Sequence, residues 1–260
     1  GVPIMRLVFI LLCLVLPAPV MAADIAFRAS SLRNGYSGTA PTVTVPTGTA
    51  TGDLMIVYLH TNGTGTVTDN NGGNAFTKDY EKIDATNGSG LTIFSRIIGS
   101  DTTGSYAFTV SSSSSRTTVQ ALAFSDPNPS NIYDIAPSNT YMTSVTNTAS
   151  PGDVDGTSIT TGFDKSIAII CAGQDVGAGT GTFDTTPTGY TALTQPTATT
   201  AQLSVVAHKV IAPAGSTGTP DLSTNTWGAG QQNISVHFAI RNNAGAGAAT
   251  RSLMLMGVGL

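Results

Sequence analysis

The second half of this chain echoes the first, strand pattern for strand pattern, and that echo restricts the possible folds more than any single motif does. Gly52-Asp53 running into the apolar stretch from Leu54 to His60 is matched by Asp164-Lys165-Ser166 running into Ile167 to Ala172. Leu91 to Ile98, with a Gly/Ser/Thr-rich exit at 99–104, is matched by Leu203 to Val210, with a similar exit at 214–218. Thr117 to Phe124 is matched by Gln232 to Ile240. The three offsets are about 113, 112 and 117 residues, too long for a solenoid repeat and too similar for chance, so the chain reads as two related halves.

The runs that echo are strands. Thr and Val are abundant, Gly, Pro, Asn and Asp break the chain every ten or so residues, and no long segment carries apolar residues at helical spacing. Hydrophobic residues make up 40% of 260, enough to bury a core and too many for a disordered chain. Charged residues are only 10%, against about 25% in an average soluble domain. With a net charge of −4 and no basic stripe, nothing is present to displace counterions from phosphates, which argues against nucleic acid as a partner.

The N-terminus reads as a cleavable export signal over residues 5–22. Met5-Arg6 supplies a short basic start, 7–16 an apolar core, Pro17 and Pro19 a break, and Val20-Met21-Ala22 the small residues of a cleavage site. The core is shorter than the roughly 20 residues needed to span a bilayer. Cys13 lacks the small residue before it that lipid attachment requires, so a lipoprotein is not expected. Gly1 to Ile4 precede the natural start at Met5 and suggest a translated fragment. At the other end, 242–250 reads as a Gly/Ala linker leading into an apolar tail from Leu253 to Leu260. That tail is either the start of a truncated sorting helix, or a last strand or oligomer contact. A membrane contact is expected only through the signal or this tail, and the expected location is secreted, periplasmic or cell-surface.

Between these ends, residues 24–241 are expected to form one β-sandwich domain, with pseudo-repeat halves at about 42–125 and 156–241. Ser125 to Asp155, rich in Pro, Asn and Ser, lies between the halves as their connection. Strands as continuously apolar as Leu54 to Leu59 or Ile167 to Ile170 must be covered on both faces or lie centrally, which one short half supplies poorly. The expectation is therefore an all-β, antiparallel, pseudo-symmetric sandwich built from both halves.

Thr42-Val43-Thr44-Val45-Pro46, then Gly52-Asp53-Leu54-Met55-Ile56, then a strand with a Gly-rich exit, then Thr188-Gly189-Tyr190-Thr191-Ala192-Leu193 resembles the jelly-roll-like β-sandwich modules of bacterial surface proteins and of phage fibre or other virion proteins. The resemblance spans about Asp24 to Arg241. It implies the fold and an adhesive or structural role, and it carries no catalytic residue with it.

The residues that could do chemistry read mostly as structural. There is no G-x-S-x-G elbow, no H-E-x-x-H and no paired-cysteine zinc spacing. His60, His208 and His237 all lie in strand-like runs and are expected to be structural. Cys171, the one cysteine left after signal cleavage, reads as a buried thiol without a disulfide partner. The aspartates sit in turns such as Asp69-Asn70-Asn71-Gly72 and Asp153-Val154-Asp155-Gly156, where Asx side chains satisfy the local backbone. No cofactor is required; the one cation these loops could take is calcium, at Asp153 and Asp155 or at Asp69 with Asn71, because closely spaced oxygens suit a hard ion. Gly177 to Gly181 lacks the helix of a phosphate-binding loop. Trp227, Tyr80 and Tyr190 are the candidate ligand-binding aromatics, since flat rings stack on sugar C–H faces, and the favoured reading is that they cap the core at its ends. Tyr80 and Tyr190 are expected at equivalent positions in the two halves.

Two functions follow. The leading one is an exported, non-enzymatic structural or adhesion module of the cell surface or extracellular space, capable of self-assembly. The other is a carbohydrate-binding module that takes a polysaccharide on Trp227 and a tyrosine. A virion component fits the resemblance but not the export signal, and it and a hydrolase both rank below these two.

Overall fold

The computed structural model describes residues 23–84, 88–112, 116–146, 154–175, 183, 186–193, 202–223 and 232–243. The expected export signal, the apolar C-terminal segment, Asp153 and Trp227 therefore lie outside the described residues. No described helix is long and apolar enough to cross a membrane.

The first half contributes β1 (Ala26–Ser37), β2 (Thr42–Thr44), β3 (Leu54–Asn62), β4 (Val67–Asp69), β5 (Thr77–Asp84), β6 (Ser89–Ile97), β7 (Ser105–Val110) and β8 (Arg116–Ser125). The second contributes β9 (Tyr133–Ile135), β10 (Met142–Thr146), β11 (Ser166–Asp175), β12 (Thr191–Ala192), β13 (Gln202–Ile211) and β14 (Gln232–Ile240). All pairings are antiparallel. The first large sheet has the order β1-β8-β3-β6-β5, and a small sheet β2-β7-β4 covers its outer face. Chain order alternating between two facing sheets in this way is the winding of a jelly roll.

The second large sheet repeats the first, strand for strand, in the order β10-β14-β11-β13-β12, with β9 added on β14. The sequence echo is thus a topological one: β3, β6 and β8 correspond to β11, β13 and β14. Among the described residues, the outer layer of the second half is made of shorter pairings. Val154 and Gly156 donate to the carbonyls of Leu222 and Pro220, and Thr160 forms a bridge with Ser216, in the place that β2 and β7 occupy in the first half.

The two large sheets face each other across a central core, so each half contributes one sheet of an antiparallel sandwich. Leu54, Ile56, Ile93, Leu122 and Phe124 from one side meet Ile167, Ile169, Cys171, Val236, Phe238 and Ile240 from the other. The alternate residues of the same strands face outward and are also buried. Met55, Val57, Leu59, Val119 and Ala121 pack under β2, β4 and β7, while Ala168, Ile170, Leu203 and Val205 pack under Val154, Ile159 and Leu222. Four layers explain why the central strands are apolar at every position, where a half-covered strand would alternate. Residues 125–155 are more than a connection, since β9 and β10 lie within them and form an edge of the second sheet.

Candidate functional site

Along the central core the facing side chains change character from one end to the other. At one end they are aliphatic and aromatic, ending in Ile25, Leu54, Phe124 and Ile240. At the other, the inward positions of β3, β8, β11 and β13 become His60, Gln120, Asp175, Gln202 and Ser204, and β6 adds Ser89. Strand period 2 places His60 on the face of Ile56 and Tyr58, and Asp175 on the face of Ile169 and Cys171. The result is a polar layer between the halves.

His60 is its centre and is fully buried. Its Nε2 lies 3.2 Å from Ser89 Oγ in its own half, and its Nδ1 lies 3.3 Å from Ser204 Oγ across the sandwich. Asp175 Oδ1 lies 3.7 Å from Nε2. The ring rests on Gly173 of β11, where a Cβ would run into it. A glycine in the middle of an apolar strand is thereby explained as a seat for a side chain from the other half. Gln202 Nε2 donates to the Arg116 carbonyl at 2.7 Å and ties β13 to β8.

Burial sets the charges of this layer. It lowers His60 to about 3, so the ring is neutral at pH 7. It raises Asp175 to about 8, an effect that a hydrogen bond from Gln202 only partly offsets. The hydroxyl of Tyr58 and the thiol of Cys171 are also pushed well up by burial. Serine, histidine and aspartate in contact invite comparison with a nucleophilic triad, but the geometry differs. In a triad the acid orients the nitrogen opposite the one facing the serine. Here Asp175 and Ser89 share the Nε2 side, Nδ1 faces a second serine, and Ser89 and Ser204 are buried.

A second polar group sits on the outer face of the second sheet. Tyr190 Oη lies 2.8 Å from His237 Nε2, and Nδ1 donates to the Thr157 carbonyl at 2.6 Å. Burial lowers His237 to about 4, so Nδ1–H is the donor and Nε2 accepts the tyrosine proton. His208 stacks on Phe27 with ring centroids 4.6 Å apart.

A surface cleft of about 320 Å³ opens at the opposite, apolar end, lined by Arg28, Thr51, Asp53, Ser125, Asp126 and Pro127 among others. Arg28 holds Asp53 through Nε at 2.8 Å and Nη2 at 3.1 Å, and Asp53 also accepts from the Ala50 amide at 2.8 Å. Asp126 has φ 52, a left-handed conformation uncommon for a residue other than glycine. The first and last described segments meet nearby, where the Ile25 amide donates to Asn242 Oδ1 and Asn242 Nδ2 to Asp24 Oδ1.

The described members of the expected ligand site, Tyr80 and Tyr190, lie apart from one another. Tyr80, in β5, packs into the central core and donates its hydroxyl to Asn139 Oδ1 at 3.0 Å, whereas Tyr190 packs into the outer core of the second half beneath Lys209. Both rings are 8% exposed and face different cores, so they are not equivalent positions. Asp69 and Asn71 bond each other, and Asn71 exchanges hydrogen bonds with Ala107 of β7, an Asx arrangement that holds β4 to β7. Asp155 accepts from the Leu222 amide at 3.4 Å. Among the described residues no group of three His, Cys, Asp or Glu side chains converges to hold a metal. The polar layer left one sequence signal: the strands ending His60-Thr61-Asn62, Gly173-Gln174-Asp175 and beginning Gln202 all turn polar where antiparallel pairing puts them at one end.

No protein family, curated protein or solved structure matches this chain.

Proposed function

We propose that this chain is an exported, non-enzymatic structural or adhesion module of the cell surface or extracellular space. The observation that carries this reading is the four-layer stacking, in which both large sheets are covered on both faces and the buried histidines are engaged in holding layers together. A rigid, charge-poor block of this kind suits load-bearing, assembly or contact rather than turnover. The test pairs a solution assay of self-association and surface adhesion with a panel of chromogenic esters and glycosides. Adhesion or assembly without turnover is the expected result. Turnover that His60→Ala abolishes in a folded protein overturns the proposal.

The cleft favours a second reading, carbohydrate binding. Arg28, Asp126, Ser125 and Thr51 offer donors and acceptors for sugar hydroxyls, with Arg28 held in place by Asp53, and the volume suits a mono- or disaccharide. Asp126→Gly keeps a residue at ease with φ 52 while removing the carboxylate. Glycan-array binding that this variant loses supports the second reading, and a silent array for the parent chain removes it.

A further inference from the structure

In the polar layer the two halves meet through polar groups rather than apolar contact. His60 of β3 lies within hydrogen-bond reach of Ser204 of β13, Gln202 of β13 donates to the Arg116 carbonyl of β8, and the Asp175 carboxyl of β11 sits 3.7 Å from His60 Nε2, beside it rather than bonded to it. It also lies at strand ends, with Asp175 the last residue of β11 and its side chain 11% exposed. Strand ends open locally at lower cost than the whole fold. We propose that the His60–Asp175 cluster is a proton-operated clasp between the two halves, closed while the pair carries one proton and loosened at this end of the sandwich when that proton is lost.

Among the described residues, the groups nearest the pair are mostly hydroxyls, amides and a thiol. From β3 comes Tyr58, from β6 Ser89, from β11 Cys171, from β13 Ser204 and Gln202, and from β8 Gln120 and the Arg116 carbonyl, with the Arg116 side chain at the start of that strand. Tyr58 and Cys171 stay neutral, since burial pushes both up. Burial is the largest influence on Asp175, and a hydrogen bond from Gln202 opposes it. Losing the proton leaves one carboxylate charge in a layer of hydroxyls and amides, and opening to water relieves it.

The pH window follows from comparing closed and open forms. In the open form Asp175 titrates at its ordinary 3.8 and His60 at 6.5, while in the closed form they sit at about 8 and about 3. Between 3.8 and 6.5 the two effects oppose each other, since the open form gains a proton on His60 and loses one from Asp175. Above 6.5 Asp175 dominates, and opening rises by about eightfold by pH 8, where it begins to level off. The clasp is therefore tightest in mild acid and loosens through neutrality.

The test is amide hydrogen exchange on the full chain, corrected for intrinsic rates. Protection of Gly173, Gln174 and Ser204 should fall about eightfold from pH 6.5 to 8, while Ile56 and Phe124 at the apolar side hold theirs. Asp175→Asn should keep its protection at pH 8. A parent chain with flat protection, or a variant that shows the same fall, overturns the clasp. Should the variant fail to fold, carboxyl NMR titration of the parent decides: a midpoint near 8 supports the proposal and one below about 5 overturns it.

Discussion

At the level of single residues, Gly173 and His60 are tightly coupled. The ring fills the space that a side chain on β11 would need, so Gly173→Ala forces either the ring or the strand to move. Overpacking of this kind costs about 1–3 kcal/mol. The double variant with His60→Ala should recover part of that loss, because the ring that Cβ meets is gone. Urea unfolding of the four-member cycle checks this, and additive losses would mean that the two residues do not share the site. The sequence shows both residues inside strands, and it shows the polar turn of each strand end, but it does not show that these ends face each other. That pairing comes from the stacking of two sheets whose strands are more than a hundred residues apart. Tyr190 could have served a ligand or capped a core, and the hydrogen bond to His237 holds its ring in a core.

At the level of elements, the long central strands were legible because continuous burial leaves continuous apolar sequence, as in β3 and β11. β9 and β10 were not, since three to five residues at a sheet edge carry no period that distinguishes them from a polar connection. The small outer layers were also hidden, although the apolarity of both faces of β3 requires something to cover the second face. That requirement gives a prediction for β11. Ile169 points into the central core and Ile170 into the outer core, and both are fully buried. Ile169→Ala and Ile170→Ala should each cost about 2–5 kcal/mol in urea unfolding. In a two-layer sandwich with one wet face, only one of two adjacent positions would be expensive.

The whole molecule is held together by the central core, and this decides how it should unfold. Each half has an outer core of its own, yet the largest buried cluster draws on both halves, and the first and last described segments are tied by Asn242. Neither large sheet can lose its partner without exposing a full apolar face, a penalty of about 25 cal/mol for every Å² uncovered. The halves are therefore expected to unfold together despite their separate windings. Phe124→Ala, placed in the first half but packed in the central core, should cost about 3–5 kcal/mol. It should lower the urea midpoint of probes in both halves equally. Cys171 offers the probe for the second half: its thiol is buried against the same core, so a thiol reagent reaches it only after opening. Labelling of Cys171 in the Phe124→Ala variant should accelerate in step with the loss of protection in β3 and β8. Unchanged labelling alongside a weakened first half would show that the stacked halves are independent folding units, and the central core would then be an interface between domains.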